Sequence, residues 1–399
     1  MELDFTAQEQ AFEEEVQRFL ADALPPSLAA KEAQGFHLHR RDVAPWHQAL
    51  WRKGWIAPGW PQHFGGTGWL PMERFLFERA CGVANAPEVS LIALSMVGPV
   101  LCEFGSDALR ERFLEPIRRG DLWFCQGFSE PEAGSDLAAV RCRTRFEGDS
   151  IVLNGHKIWT TDAHIADYMI CLARTSDVGR PREGLSMILI PMDAPGVRVR
   201  PIATLDGDHH INEVFLEDVA VPLENLVGEV NSGWAQARYL LGRERTHNAY
   251  VGMLRRYLAR FPGLLQRQLA AGLDARVADG LLRDHVQLSL DVEAHEWSVL
   301  RLLADEESSQ LRAGASAVKI RGSELLMKAS ELELMALGSQ VIPAMTPAMT
   351  HTTAQPLPAG AGADAPGRVT QSLYWRAAAI FGGTNEIQRG IIYSTLFHR

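Results

Sequence analysis

The run QGFSEPEAGSDLAAVRCRTRFEGDSIVLNGHKIWTT, Gln126 to Thr161, decides how the rest of the chain is read. It opens with a strand-like segment, Leu122 to Ser129, followed by a turn at Glu130-Pro131-Glu132-Ala133-Gly134. Proline presets one backbone angle there and glycine allows a positive one, so the chain can double back tightly. From Val140 to Phe146 the residues alternate. Val140, Cys142, Thr144 and Phe146 fall on one face, and Arg141, Arg143 and Arg145 on the other. That is the period of a half-buried strand. Asn154-Gly155 fits a two-residue hairpin turn, with His156 to Thr161 as the return strand. The stretch therefore reads as a β-meander with Ser, Thr and Trp at its strand ends. Trp159 offers a flat apolar face, and Thr160 and Thr161 offer hydroxyls beside it. Such a trio suits a planar heteroaromatic ring that needs stacking and a few hydrogen bonds. On residue chemistry alone, a core tryptophan with surface threonines is the simpler reading.

Working outward, 399 residues exceed what one compact core holds, so two or three domains are expected. Hydrophobic content of 46% and charged content of 22% are those of an ordinary globular protein. The net charge of −10 argues against nucleic acid or an anionic membrane as the main partner. Cys81, Cys102, Cys125, Cys142 and Cys171 show no CxxC spacing. An odd number without a framework implies reduced thiols and a cytoplasmic setting. Met1 to Gln10 is acidic and polar, which gives no sign of a signal peptide. The longest apolar run, Val89 to Cys102, contains Gly98 and Pro99 and is too short to span a bilayer, so a buried helix is expected.

Residues 1–120 read as a helical domain. Thr6 to Glu9 fits a capping box ahead of Phe12, Val16, Phe19 and Leu20, and Pro25-Pro26 ends that helix. Trp55 to Gly68 reads as a loop with core aromatics, and Pro71 to Ala84 and Pro87 to Phe104 as helices. Residues 121–230 read as a β domain, a small barrel or sandwich. After the opening stretch its strands are Asp167 to Arg174, Leu185 to Met192, Val197 to Ile202 and Asn212 to Val221. Residues 231–399 return to helix, with Ser232 to Leu265, Asp274 to Leu311 and Ala315 to Val341 as long elements of an antiparallel four-helix bundle. Pro343 to Gly367, almost uncharged, reads as a mobile insertion. Val369 to Phe381 and Asn385 to Phe397 close the chain around Gly382-Gly383. The fold class is α+β.

Three motifs give this order a name. FSEPEAGSD at Phe128 to Asp136, NGHKIWTT at Asn154 to Thr161 and FGGTNEIQR at Phe381 to Arg389 resemble the acyl-CoA dehydrogenase family. They occur in family order, and the resemblance covers nearly the whole chain. It implies that FAD lies between the β domain and the C-terminal bundle. It implies oxidation of an acyl-CoA thioester to the trans-2-enoyl-CoA, with electrons passed to an electron-transfer flavoprotein. The branch resembled includes pimeloyl-CoA and sterol side-chain dehydrogenases, and a homotetramer or a heterotetramer with a related subunit is implied.

By motif match, Trp159 packs on the flavin, Thr161 donates near its reactive nitrogen, and Thr160 stands beside them. Gln126, Phe128, Ser129 and Ser135 line the cofactor and thioester side, Ser135 on the substrate as well. Thr384 and Glu386 sit where the family contacts the cofactor, and Thr384-Asn385 also looks like a helix start. Many relatives carry the catalytic Glu where this chain has Gly382, which cannot take a proton. Other members place the base on the first bundle helix, before an Arg. Gly242-Arg243-Glu244-Arg245-Thr246 offers Glu244 there, with Arg245 to place the acyl chain or orient the carboxylate. Burial beside an acyl chain would raise the pKa of such a Glu and suit it to the task. Read locally, the same run is a solvated helix face with surface ion pairs. Glu386 is the rival carboxylate.

Arg141, Arg143 and Arg145 could meet CoA phosphates, but a solvated strand face is the simpler reading. His209-His210 and His351 lack metal-ligand spacing, so no metal is expected. Gln266 to Gly280 lacks the Thr-Phe-Gly with which many relatives grip FAD across subunits. Two alternatives stay open: a non-catalytic partner subunit of a heteromer, and a flavoenzyme of this fold that reacts with oxygen.

Overall fold

The computed structural model describes residues 5–35, 38–177, 179–206, 209–243, 249–304, 311–344, 359–360 and 362–397. Six helices come first: α1 (Ala7–Ala23), α2 (Pro26–Gln34), α3 (Arg40–Lys53), α4 (Pro71–Val83), α5 (Gly98–Phe104) and α6 (Asp107–Arg119). The capping box that starts α1 is present, with Glu9 N donating to Thr6 Oγ1 at 3.3 Å and Thr6 N to Glu9 Oε2 at 2.7 Å. Ile92–Val97, just before α5, is wound as a π-helix, and Ser90 ahead of it has a left-handed φ of 47°. Trp55 and Trp60 are buried, as expected of the loop between α3 and α4, and the Trp60 indole N–H donates to Leu94 O at 2.6 Å.

The middle of the chain is an eight-stranded sheet: β1 (Phe124–Gly127), β2 (Arg143–Glu147), β3 (Ser150–Thr161), β4 (Tyr168–Arg174), β5 (Leu185–Pro191), β6 (Val197–Ile202), β7 (Ile211–Pro222) and β8 (Leu226–Val227). The order is β6-β7-β3-β2-β4-β5-β8, with β1 parallel to β4 beside that path. Two expectations are corrected here. Asn154-Gly155 is not a hairpin turn. The β2–β3 reversal lies at Gly148-Asp149, between the paired Glu147 and Ser150, with Gly148 at φ 58°. β3 continues through Asn154, with a register shift against β7 between Leu153 and Gly155. Gly155 is needed for another reason, since a Cβ there would lie 2.6 Å from Cys142 Cβ. Nor does β1 open a meander, because its partner is β4 rather than β2.

The C-terminal part holds α7 (Gly233–Arg243), α8 (Val251–Ala270), α9 (Ala275–Leu303), α10 (Leu311–Leu337), α11 (Arg368–Trp375) and α12 (Asn385–Phe397). The single helix expected from Ser232 to Leu265 is not one. Tyr250 caps α8 with a left-handed φ of 56°, a backbone state no helix interior adopts. Helices α8, α9, α10 and α12 pack as the bundle. Most of the expected insertion at 343–367 lies outside the described residues.

One buried cluster joins the N-terminal helices to the sheet, and a second fills the bundle. Helices α4 and α8 bind the two ends of the chain together where Gly82 meets Gly252. A Cβ on Gly82 would sit 2.4 Å from Gly252 C, so both glycines are required for the crossing. A buried charge network makes a second junction. Arg260 and Arg368 both donate to Ala33 O at the end of α2, at 3.0 and 2.7 Å, and both face Glu333 of α10.

Candidate functional site

The site is built on one irregularity of β3. Along its pairing with β7, Lys157 is opposite Val214, but the next partners are Thr160 and Asn212. One extra residue is therefore held on β3, a β-bulge, which re-aims side chains and recurs next to active sites. Trp159 occupies it with φ 60°, a conformation rare and strained for an aromatic residue. Ile158 N turns aside and donates to Ser129 O at 3.0 Å, so the bulge is tied to the end of the Phe128–Ser129 segment. The outcome is an indole with 59% of its surface exposed. Thr161 is exposed as well. Thr160 is different. It is fully buried and its Oγ1 has no hydrogen-bond partner among the described residues, so its side chain is turned inward rather than standing beside the indole.

Beneath the bulge lies a frame that sequence reasoning missed. Lys157 has no exposed surface, and its Nζ donates to Phe128 O at 3.2 Å, Leu172 O at 2.7 Å and Glu130 Oε1 at 2.7 Å. The Glu130 carboxylate also accepts from Arg141 N at 2.7 Å and Cys142 N at 2.9 Å. Burial works against the Lys157 charge, but the adjacent Cys171, Cys142 and Glu130 outweigh it and raise its pKa. One ammonium thus pins the Ser129–Ala133 turn to β3 and β4. The signal was in the alternation: Ile151, Leu153 and Lys157 share one parity, and a charge on the apolar face of a strand demands a buried partner. Within the turn Phe128 is buried, Gln126 and Ser129 are half-buried, and Ser135 is exposed. Arg141, Arg143 and Arg145 are exposed, and Arg145 pairs with Glu147 and Asp218, so this is a solvated face.

The C-terminal motif forms a separate turn. Gly382 and Gly383 both have left-handed φ, 65° and 84°. Thr384 Oγ1 accepts from Ile387 N at 3.2 Å, so Thr384 caps α12 as expected. Glu386 is exposed and its Oε1 accepts from Arg389 Nη1 at 3.2 Å. Its own backbone N–H and the Thr384 hydroxyl hold its carboxyl below the usual range. Contacts lead from this turn to the bulge. Phe381 lies against Tyr374 (ring centroids 6.3 Å), Tyr374 against His210 (5.0 Å), and His210 O accepts from Asp162 N, next to Thr161, at 2.9 Å. The expected carboxylate and its neighbour, Glu244 and Arg245, lie outside the described residues. Two surface hollows, about 520 Å³ between Gln62–Gly65 and α6 and about 440 Å³ between α1 and α4, share no residue with this platform.

An exposed indole raised on a bulge, with an exposed hydroxyl two residues on, fits a flat ring system that hydrogen-bonds at its edge. Models of three domain families match the chain end to end: acyl-CoA dehydrogenase, N-terminal domain, over residues 6–121, middle domain over 125–219, and C-terminal domain over 231–397. The chain belongs to the acyl-CoA dehydrogenase family. Members of that family are flavoprotein oxidoreductases of lipid metabolism. The chain is 33% identical to acyl-CoA dehydrogenase IpdE1 of Mycobacterium tuberculosis, over 96% of this chain and 95% of that protein. It is 32% identical to acyl-CoA dehydrogenase FadE26 of the same organism, over 98% and 97%. Among solved structures it is similar to the Tcur3481-Tcur3483 steroid acyl-CoA dehydrogenase, with TM-score 0.81, 27% identity and coverage of 99% and 98%. The ChsE4-ChsE5 complex of Mycobacterium tuberculosis follows, with TM-score 0.80, 29% identity and the same coverage. The helical, sheet and helical order expected of this family is the one observed. Among the described residues no helix is long and apolar enough to cross a membrane.

Proposed function

We propose that this acyl-CoA dehydrogenase takes FAD on the Trp159 bulge and converts an acyl-CoA thioester to its trans-2-enoyl-CoA. The observation that carries the reading is the exposed Trp159 indole, held in a strained backbone state with Thr161 two residues on. Trp159 would take the flat face of the cofactor, Thr161 its edge, and Thr384 and Glu386 its polar remainder. Gln126, Phe128, Ser129 and Ser135 would line the slot. FAD supplies the hydride acceptor when bound, and the chain supplies position and the base.

Glu244 is the base in this reading, beside Arg245. Gly382 has no side chain to receive a proton. Glu386 is a poor acceptor, because a carboxyl with a depressed pKa, paired with Arg389, gives little driving force for proton abstraction. The acyl group belongs to the sterol side-chain class in this proposal, since structures similar along the full length include one described as a steroid acyl-CoA dehydrogenase. The electron acceptor is a separate electron-transfer flavoprotein, and the setting is cytoplasmic. The domain division proposed is 1–120, 121–230 and 231–399.

A second reading, a partner subunit without its own turnover, draws support from Gly382 and from the missing Thr-Phe-Gly. Apolar side chains left exposed on α9 (Leu282, Val286, Leu290) and α12 (Ile387, Tyr393) offer surface for a homotetramer or a heterotetramer. Purifying the chain alone separates the readings. A yellow protein bleached anaerobically by an acyl-CoA supports the first, and a yellow protein that no thioester bleaches supports the second. Oxygen uptake during turnover would instead mark an oxygen-using flavoenzyme. Glu244→Gln is expected to keep FAD and lose bleaching. A variant that bleaches at the parent rate sinks the assignment of the base.

A further inference from the structure

Helix α10 carries a buried cation that the site as described leaves unexplained. Lys319 is only 2% exposed. Its Nζ donates to Gly383 O at 2.9 Å and to Asn385 Oδ1 at 3.1 Å, and among the described residues no carboxylate pairs with it. Both acceptors belong to the Gly382–Asn385 turn. From the other side Gln388 Nε2 donates to Gly382 O at 2.9 Å. Asn385 Nδ2 is in turn held by Ser323 Oγ of α10 at 3.4 Å. The carbonyls of Gly382 and Gly383 are therefore both drawn inward, against the bundle. In a planar trans peptide the N–H points opposite to its carbonyl. The N–H of Gly383 must then point away from the buried Gln388 of α12 and that of Thr384 away from the buried Lys319 of α10, both outward from the bundle. Two consecutive left-handed glycines make that arrangement possible.

We propose that Lys319 is a positioning residue, which fixes the Gly382–Asn385 turn so that its outward N–H groups can receive polar atoms of FAD. The proposal rests on the FAD reading above and deepens it. An ammonium without a carboxylate in a bundle interior is costly, and a leucine would fill the place without that cost. Burial pulls the Lys319 pKa down to about 8, and among the described residues the charge that opposes this is Glu386 of α12. Three further titratable or charged groups on the packed elements are engaged elsewhere. Arg321 of α10 pairs with Asp291 of α9 at 3.0 Å, Glu324 lies 3.8 Å from Arg389 of α12, and His295 of α9 bonds to Ala249 O at 2.8 Å. The charge that holds the turn is thus full at pH 7 and is lost as the pH rises through about 8. A neutral amine keeps two N–H donors but not the charge-assisted strength.

The test is the dissociation constant of FAD, read by flavin fluorescence on the full chain from pH 6.5 to 9.5. The parent is expected to bind evenly up to pH 7.5 and to weaken several-fold beyond about pH 8. Lys319→Met should bind roughly tenfold more weakly at pH 7, the loss of about one charge-assisted hydrogen bond, with no break near pH 8. Lys319→Arg should recover most of the affinity and hold it through pH 9.5. Parent-like affinity and pH profile in Lys319→Met overturn the proposal. If that variant does not fold by circular dichroism, a flat profile in the parent overturns it equally. A parent that takes up no FAD at any pH overturns the FAD reading instead.

Discussion

Lys157 and Trp159, two positions apart on one strand, place opposite demands on the molecule. Lys157 holds the turn, the strand and the neighbouring strand with one ammonium, and Glu130 depends on it for its cation. Lys157→Met is therefore expected to cost about 3–5 kcal/mol, the usual penalty for stranding one member of a buried pair. Chemical denaturation of the apoprotein measures it, and a loss under 1 kcal/mol would show that the frame is dispensable. Trp159 works the other way. Its left-handed backbone is unfavourable for an aromatic residue and tolerable for asparagine. Trp159→Asn should leave the melting temperature of the apoprotein equal or higher while FAD affinity falls by about tenfold or more. A destabilised variant with unchanged affinity would make the indole structural. Trp159 and Thr161 could be picked out as candidates in the sequence because they lie inside a motif, and the structure leaves both exposed. The inward turn of Thr160 could not, since a bulge depends on the register with β7, more than fifty residues further along.

At the scale of elements, two glycines show what local patterns can and cannot say. Asn154-Gly155 has the composition of a hairpin turn, yet the reversal is at Gly148-Asp149 and Gly155 serves a close approach to Cys142. Strand length decided between them, and strand length is set by β7, which pairs with β3 along its whole run. Helix boundaries were easier. The Thr6–Glu9 box and the Asn385 start of α12 carry their signals within a few residues. The break before α8 carries none, because it rests on Tyr250 in a left-handed state, which an aromatic residue does not announce by its type. The Gly82–Gly252 crossing gives an element-scale test. Gly82→Val should destabilise by at least about 2–3 kcal/mol through overpacking, because the atom it meets is backbone that cannot swing aside. A melting temperature within 1 °C of the parent would mean that α4 and α8 are not locked there.

The whole molecule should soften in mild acid, for a reason spread over distant places. His47 bonds to Arg118 O between α3 and α6, His285 stacks on Phe261 within the bundle, and His295 bonds to Ala249 O ahead of α8. Burial holds all three below their ordinary value of 6.5. The unfolded chain then takes up protons from pH 6.5 downward while the folded chain resists, so stability is lost as the pH falls from 6.5 toward the folded values. Each histidine contributes at most about 1.4 kcal/mol per pH unit. Calorimetry between pH 7.5 and 5 should show the melting temperature falling, with a shallower slope in His295→Gln. An unchanged slope in that variant would place the acid sensitivity elsewhere.

The sheet ends in two unlike margins. β8 is a pair of residues, and β6 carries Pro201, which has no N–H to offer, just after the ion-paired Arg198 and Arg200. Neither margin is a bare ladder on which another chain could lengthen the sheet. The contiguous apolar stripes left exposed on α9 and α12 are then the places where surplus copies of the chain would stick. Surplus chain should come out of solution as shapeless precipitate that mild detergent redissolves, without the dye-binding fibres that an open strand would seed.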